Sequence, residues 1–553
     1  SQMVGDLRSP NGNAFAGSGG TILNGVAGTA TLISVNANAA WGGNISGGVG
    51  AIFYNKAGAN TQTFYSDNTY TGGTLINGGI LTLTDEGRLS GTSGITLAYG
   101  QLAITNSGTM YLPNRVNDAA NVVSLGGSLI LNGRDLTNVA ETMGNLLLSE
   151  GQTMLQVNNG GQGTVKSATL LMGSLTRGAD ATLLLSGPTG QMGSNARAVF
   201  TSVPALVNNI YPWATNGGDF VSYIAPSAGG LAGGLAALNS SGYAGYDASF
   251  VVAAPGVATN NLRLANASFV VPSASGGADT YSANAIALIA NANAQGLTFA
   301  DNADVLNLTS GGLALSGNFT GKSIGSAVGN GSITSGGTAF GVQPLYLTVN
   351  QGTTVNINSA IVDNGFGGQT RLVYTPFNGV ATVLNAPSGY TGGTVLNGGF
   401  SYTGTLDLNV AGADGATTVA IPAGDLIINS ATLRLLASNQ VNTTVTPVVN
   451  GLGLLALNNF NQSFAGLVLN NNGGSAAGPQ ITMGTGVLTL TGDVTATSSN
   501  VGTVATISGT GTAGMAVDLG GATRTFTVAP VTVNGNTTVA NVTPTLNVSA
   551  PIS

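Results

Sequence analysis

Ten residues of this chain occur twice. Tyr70-Thr71-Gly72-Gly73-Thr74-Leu75-Ile76-Asn77-Gly78-Gly79 returns 320 residues later as Tyr390-Thr391-Gly392-Gly393-Thr394-Val395-Leu396-Asn397-Gly398-Gly399. Eight positions are identical, and the other two exchange one aliphatic side chain for another. A recurring unit this short cannot enclose a core by itself. It buries its apolar face only against neighbouring units, which is the logic of a solenoid. The runs Leu81-Thr82-Leu83-Thr84, Leu129-Ile130-Leu131-Asn132, Leu488-Thr489-Leu490-Thr491 and Phe526-Thr527-Val528 interleave apolar residues with Thr or Asn, the pattern of a strand with one buried face. Gly-Gly, Asn-Gly and Ser-Gly pairs punctuate them, supplying the backbone freedom that tight turns need. Only Ser282–Ala294, rich in Ala and Asn, stays ambiguous between helix and strand. The expectation is an all-β chain, a parallel β-helix or β-solenoid with an irregular β insertion. At about 20–25 residues per coil and about 4.8 Å between stacked strands, it would form a rod of order 100 Å.

The repeats divide the chain. Residues 1–199 form a first solenoid half carrying the motif at 68–81, and residues 273–553 a second half carrying it at 388–401. Between them, residues 200–272 hold five prolines, Trp213, Tyr211, Tyr223, Tyr243, Tyr246 and the low-complexity run Ser227–Gly234. This stretch reads as an insertion or hinge, or equally as further coils with irregular loops.

Composition narrows the chemistry. The 553 residues include no cysteine and no histidine, which removes Ser-His-Asp and Cys-His triads, thiol redox chemistry and His- or Cys-based zinc sites. Charged residues make up 6%, against about 25% in an ordinary domain. The 13 Lys and Arg are scattered singly, so no basic patch is expected for nucleic acid. No apolar run approaches the roughly 20 residues of a membrane span, so insertion by this chain is not expected. The start at Ser1-Gln2-Met3-Val4-Gly5-Asp6 lacks a basic, apolar leader, as if a signal peptide had already been removed. Surface polarity must come from Asn, Thr, Ser and Gly, which do not titrate. Stability that responds little to pH or salt, suited to an exposed extracellular object, is the expectation.

The segment Asn68-Thr69-Tyr70-Thr71-Gly72-Gly73-Thr74-Leu75-Ile76-Asn77-Gly78-Gly79-Ile80-Leu81 resembles the autotransporter-associated β-strand repeat of secreted bacterial proteins. The second copy departs from it at Ser388-Gly389 and Phe400-Ser401. Phe460–Leu467 and Val517–Gly521, followed by Thr523–Val528, are similar to spacers of such proteins. The resemblance implies a parallel β-helix passenger, exported and displayed at the surface.

Candidate catalytic chemistry is sparse. Glycoside hydrolysis needs two carboxyl groups facing one another. Asp85-Glu86 point to opposite faces of a strand, unless they lie in a turn. Asp301 and Asp304 are a candidate calcium pair without the alternating acids and glycine of a dedicated loop, and read otherwise as turn residues. Tyr70, Gly72, Gly73, Gly78, Tyr390, Gly392, Gly393 and Gly398 read as structural, the glycines in tight coils and the tyrosines in the core; a sugar platform is the alternative for the tyrosines. No catalytic residue and no cofactor is expected. Asn547–Ser553 resembles the opening of a third repeat, which marks Val548, Pro551 and Ile552 as assembly residues. The leading expectation is a non-catalytic structural protein whose partner is itself. It would form a homopolymer joined head to tail into a filament or sheath by strand complementation, or act as a surface adhesin. The alternative is a carbohydrate-binding or polysaccharide-cleaving β-helix, with surface glycans as partner and the tyrosines of 200–272 as the place to look.

Overall fold

Short apolar–polar runs broken by glycine and asparagine produce short strands, and the computed structural model is built of them. It describes residues 1–9, 14–35, 38–160, 166–226, 233–247, 258–265, 268–273, 277–290, 296–377, 380–401, 403–510, 515–537 and 543–553. Among these residues every regular element is a β-strand. The ambiguous Ala/Asn stretch resolves the same way, as the eleven-residue strand Thr280–Ala290.

Strands are dealt alternately into large parallel sheets whose spatial order follows the sequence. In the first half one ten-stranded sheet takes Gln2–Val4, Thr29–Val35, Ala51–Ala57, Thr74–Asn77 and Gly94–Ala98 onward. A second ten-stranded sheet takes the strands between them, among them Thr61–Phe64, Ile80–Leu83 and Gln101–Thr105. The second half repeats the scheme with sheets of 13 and 11 strands and a short third sheet of Gln462–Phe464, Val487–Leu490 and Ala516–Asp518. Successive layers thus add strands to the two large sheets of each half, and like residues fall in register. Leu406, Leu433, Leu455, Ile481, Ile507 and Val548 are successive partners in one sheet. Phe64, Leu83, Ile104, Leu131 and Val157 do the same in the first half. These columns point inward and form the two main cores.

The first stack closes with a change of strand direction. Tyr211–Asn216, Asp219–Ile224 and Gly234–Ala237 pair antiparallel, ending the parallel ladder. Asn261–Ala265 and Phe269–Val271 then open the second pair of sheets. Residues 200–272 therefore hold the closing strands of one stack and the opening strands of the next. Residues 227–232 of the low-complexity run, and Pro255, lie outside the described residues.

Beyond the bend, the chain returns alongside itself in the opposite order. Asn208 donates to Asn284, Asp180 meets Arg371, Gln152 meets Gly398, Asn77 reaches Ser499, and Asn536 donates to Ser1. Ten strands at about 4.8 Å span about 50 Å. The body is two stacks abreast, about half as long as the single rod the sequence suggests, because glycine and asparagine on facing flanks let two backbones approach.

Candidate functional site

The repeated motif explains its own spacing. Tyr70 and Tyr390 are fully buried, and each hydroxyl finds the threonine four residues on: Tyr70 Oη lies 2.6 Å from Thr74 Oγ1 and Tyr390 Oη 2.7 Å from Thr394 Oγ1. A buried phenol needs such a partner, and burial raises the pKa of both. The Tyr70 ring also packs 6.1 Å from that of Tyr54 in the preceding layer. Gly72 and Gly392 press on the backbone one layer back; a Cβ would collide with the carbonyls of Ile52 and Thr370. Gly73 lies against the Phe53 ring, while its counterpart Gly393 adopts φ +89° beside Asp425.

The far end of the motif does something the sequence did not announce. In both copies the Asn-Gly-Gly corner faces the other stack. Asn77 Nδ2 donates to the Ser499 carbonyl at 2.7 Å, and Asn397 Nδ2 to the Asp180 carbonyl at 2.5 Å. Gly78, at φ +113°, abuts the Gly474 carbonyl. The Gln152 amide donates to Gly398 at 2.9 Å, and the Phe400 amide returns a bond to Gly126, also at 2.9 Å. Tyr99 fills the interval: a Cβ on Gly126 or Gly451 would lie 2.6 or 2.5 Å from its ring. Its hydroxyl donates to Glu150 Oε1 at 3.0 Å, which also accepts Asn472 Nδ2 at 2.7 Å.

Charge in this seam is committed in pairs. Arg371 grips Asp180 through Nε at 3.0 Å and an Nη at 2.9 Å, and also reaches Asp425. Arg177 lies 5.0 Å over the Trp213 ring and donates to Tyr346 Oη from across the seam. From Asn397 a ladder of side-chain amides runs inside the second stack, with Asn429 donating to Asn397, Asn450 to Asn429 and Asn470 to Asn450 at 2.8–3.0 Å. At the far end Thr497 donates to Asn470.

Buried charges elsewhere are held by main chain. Arg115 is completely enclosed and donates to the carbonyls of Asp85, Gly87 and Met110. Glu141 accepts the amides of Arg115 and Val116; burial, partly opposed by those bonds, moves its carboxyl up to about 7. Gln440 and Gln462 make the same bridge with an amide, each bonding both the N–H and the C=O of one residue. Lys56, 1% exposed, donates to Ala57 and Gly58, and burial lowers it to about 8.

The remaining candidates take structural places. Asp304 is buried and accepts the amides of Asp279 and Asp301, while Asp301 accepts that of Ala303. Among the described residues no group of three metal-ligating acids forms around them. Asp85 lies in a turn at φ +51°, its Oδ1 accepting the Thr109 amide at 2.7 Å. The tyrosines of 200–272 use their hydroxyls on backbone: Tyr211 donates to Pro204, Tyr223 to Phe200 and Tyr243 to Gly234, and Tyr246 accepts from Phe220. Val548 ends the aliphatic column described above, and Pro551 and Ile552 run beside Val517, whose amide donates to Pro551 at 2.8 Å.

No protein-family model, curated protein or solved structure matches this chain. The seam was invisible to sequence reasoning because its partners lie hundreds of residues apart. Its one signal was the Asn-Gly-Gly corner, whose glycines exceed what a turn requires.

Proposed function

We propose that this chain is a non-catalytic extracellular structural protein: two parallel β-solenoid halves, akin to autotransporter-type repeats, folded into one stiff unit of a cell-surface filament or sheath, or of an adhesin. The carrying observation is the continuous seam. Side chains that elsewhere do chemistry here bond carbonyls, amides and opposite charges of the chain itself, which supports a body made to hold its shape. Self-association through Val548, Pro551 and Ile552 is part of the proposal. Asn536 bonds Ser1, so the strands Gln2–Val4 and Leu546–Val548 lie at one pole. Edge pairing between copies therefore joins like poles, a two-fold contact that closes on itself. Growth into a filament then adds a lateral contact.

Electron microscopy with sedimentation over a concentration series tests the assembly, surface labelling of intact cells tests the location, and reducing-end release from a polysaccharide panel tests the absence of turnover. The expected result is stubby particles that join at one pole and then elongate, labelled on intact cells, with no sugar released. Particles that stay single at the highest attainable concentration sink the assembly; measurable cleavage sinks the structural reading.

A further inference from the structure

Two cavities near the bend share Gly187 and Asn216 and so form one cleft, of about 580 Å³ on one side and about 200 Å³ on the other. The larger part belongs to the first stack and reaches Ser194, Asp219 and Asn239; the smaller crosses the seam to Asn350 and Phe377 of the second. The larger volume falls in the range of ordinary ligand sites, roughly 300–1,000 Å³, and the smaller lies below it. Among the described residues the side-chain amides of Asn216 and Asn350 hold no hydrogen bond, and both remain partly exposed.

We propose that this cleft binds a neutral saccharide chain, with the two halves supplying opposite walls. No Lys or Arg lines it, so nothing there would neutralise a phosphate, sulfate or uronate. Its one carboxylate is already engaged: Asp219 accepts Arg263 Nε at 2.8 Å and Asn239 Nδ2 at 3.2 Å. What remains is amide and hydroxyl groups that both donate and accept, as a sugar hydroxyl does. The Phe377 ring, seated on Ile130, Met154 and Leu184, adds an apolar patch for the C–H face of a pyranose. The tyrosines of 200–272 lie behind this lining rather than in it, and the site does not depend on self-assembly.

Titration calorimetry of the whole chain with cellohexaose, maltohexaose and mannohexaose tests it, with a hexagalacturonate and an uncharged hexapeptide as contrasts. Saturable binding of a neutral hexasaccharide is expected. The double variant Asn216→Ala/Asn350→Ala should weaken it about tenfold, as expected for two lost hydrogen bonds. If that variant melts early, Asn350→Asp keeps the shape and probes the same contact. The proposal is overturned if no neutral hexasaccharide binds up to about 10 mM, if neither variant affects binding, or if hexagalacturonate or the peptide binds in their place.

Discussion

At the scale of single residues, the fold is economical with charge and exact in where it accepts some. Expected indifference to pH meets exceptions, and the two that titrate nearest neutrality are Glu141 and Lys56. Lys56, lowered to about 8 against an ordinary 10.5, has released its proton in the folded chain at pH 9 while the unfolded chain still holds it. The unfolded state then binds more protons, so stability rises with pH between about 8 and 10. Glu141, raised to about 7 against 4.5, works in the opposite sense, adding stability as pH falls through that interval. Lys56→Met should remove the alkaline rise, on the order of 1 kcal/mol. Urea unfolding at pH 7.5 and 9.5 measures it; a wild-type curve identical at both values refutes the assignment.

Elements show how far the sequence could be read. Period-2 runs such as Leu81–Thr84 and Leu488–Thr491 became the strands Ile80–Leu83 and Val487–Leu490, because a side-chain alternation has only one extended solution. Tyr70 and Thr74 were legible as motif, but their mutual bond was not, since it needs the chain to turn between them. Asn429 gave no local signal at all: its worth comes from Asn397 and Asn450, which become its neighbours only after stacking. Asn429→Ala leaves an acceptor on Asn397 and a donor on Asn450 buried and unpaired. At about 1–3 kcal/mol for each of the two stranded groups, a loss of about 2–6 kcal/mol is expected. Chemical denaturation would show it as a lower midpoint with an unchanged slope; a loss below about 0.5 kcal/mol, typical of a neutral surface site, contradicts the ladder's role.

For the whole molecule, the decisive feature is the return of the second half along the first. Composition and periodicity describe a stack and are silent on whether it stays straight; only Asn77, Asn397 and their glycines touch the question. Arg371→Ala strips Asp180 of its bidentate partner in a half-enclosed setting. The cost should fall between the ~1 kcal/mol of an exposed pair and the ~3–5 kcal/mol of a buried one. Hydrogen exchange tells where it falls. The Gln152 and Phe400 amides, which bond across the seam, should exchange faster, while the Leu433 and Ile481 amides, inside one sheet, keep their protection. Equal acceleration at all four would mean the halves do not move as bodies.

Because the chain doubles back, anything tethered to Ser1 or to the Asn536 region leaves from one extremity of the particle, while Asn216 and Asn350 lie toward the bend at the other. A leash at the base thus leaves the half of the particle that carries them standing away from the anchor, and shortening either stack would bring it closer.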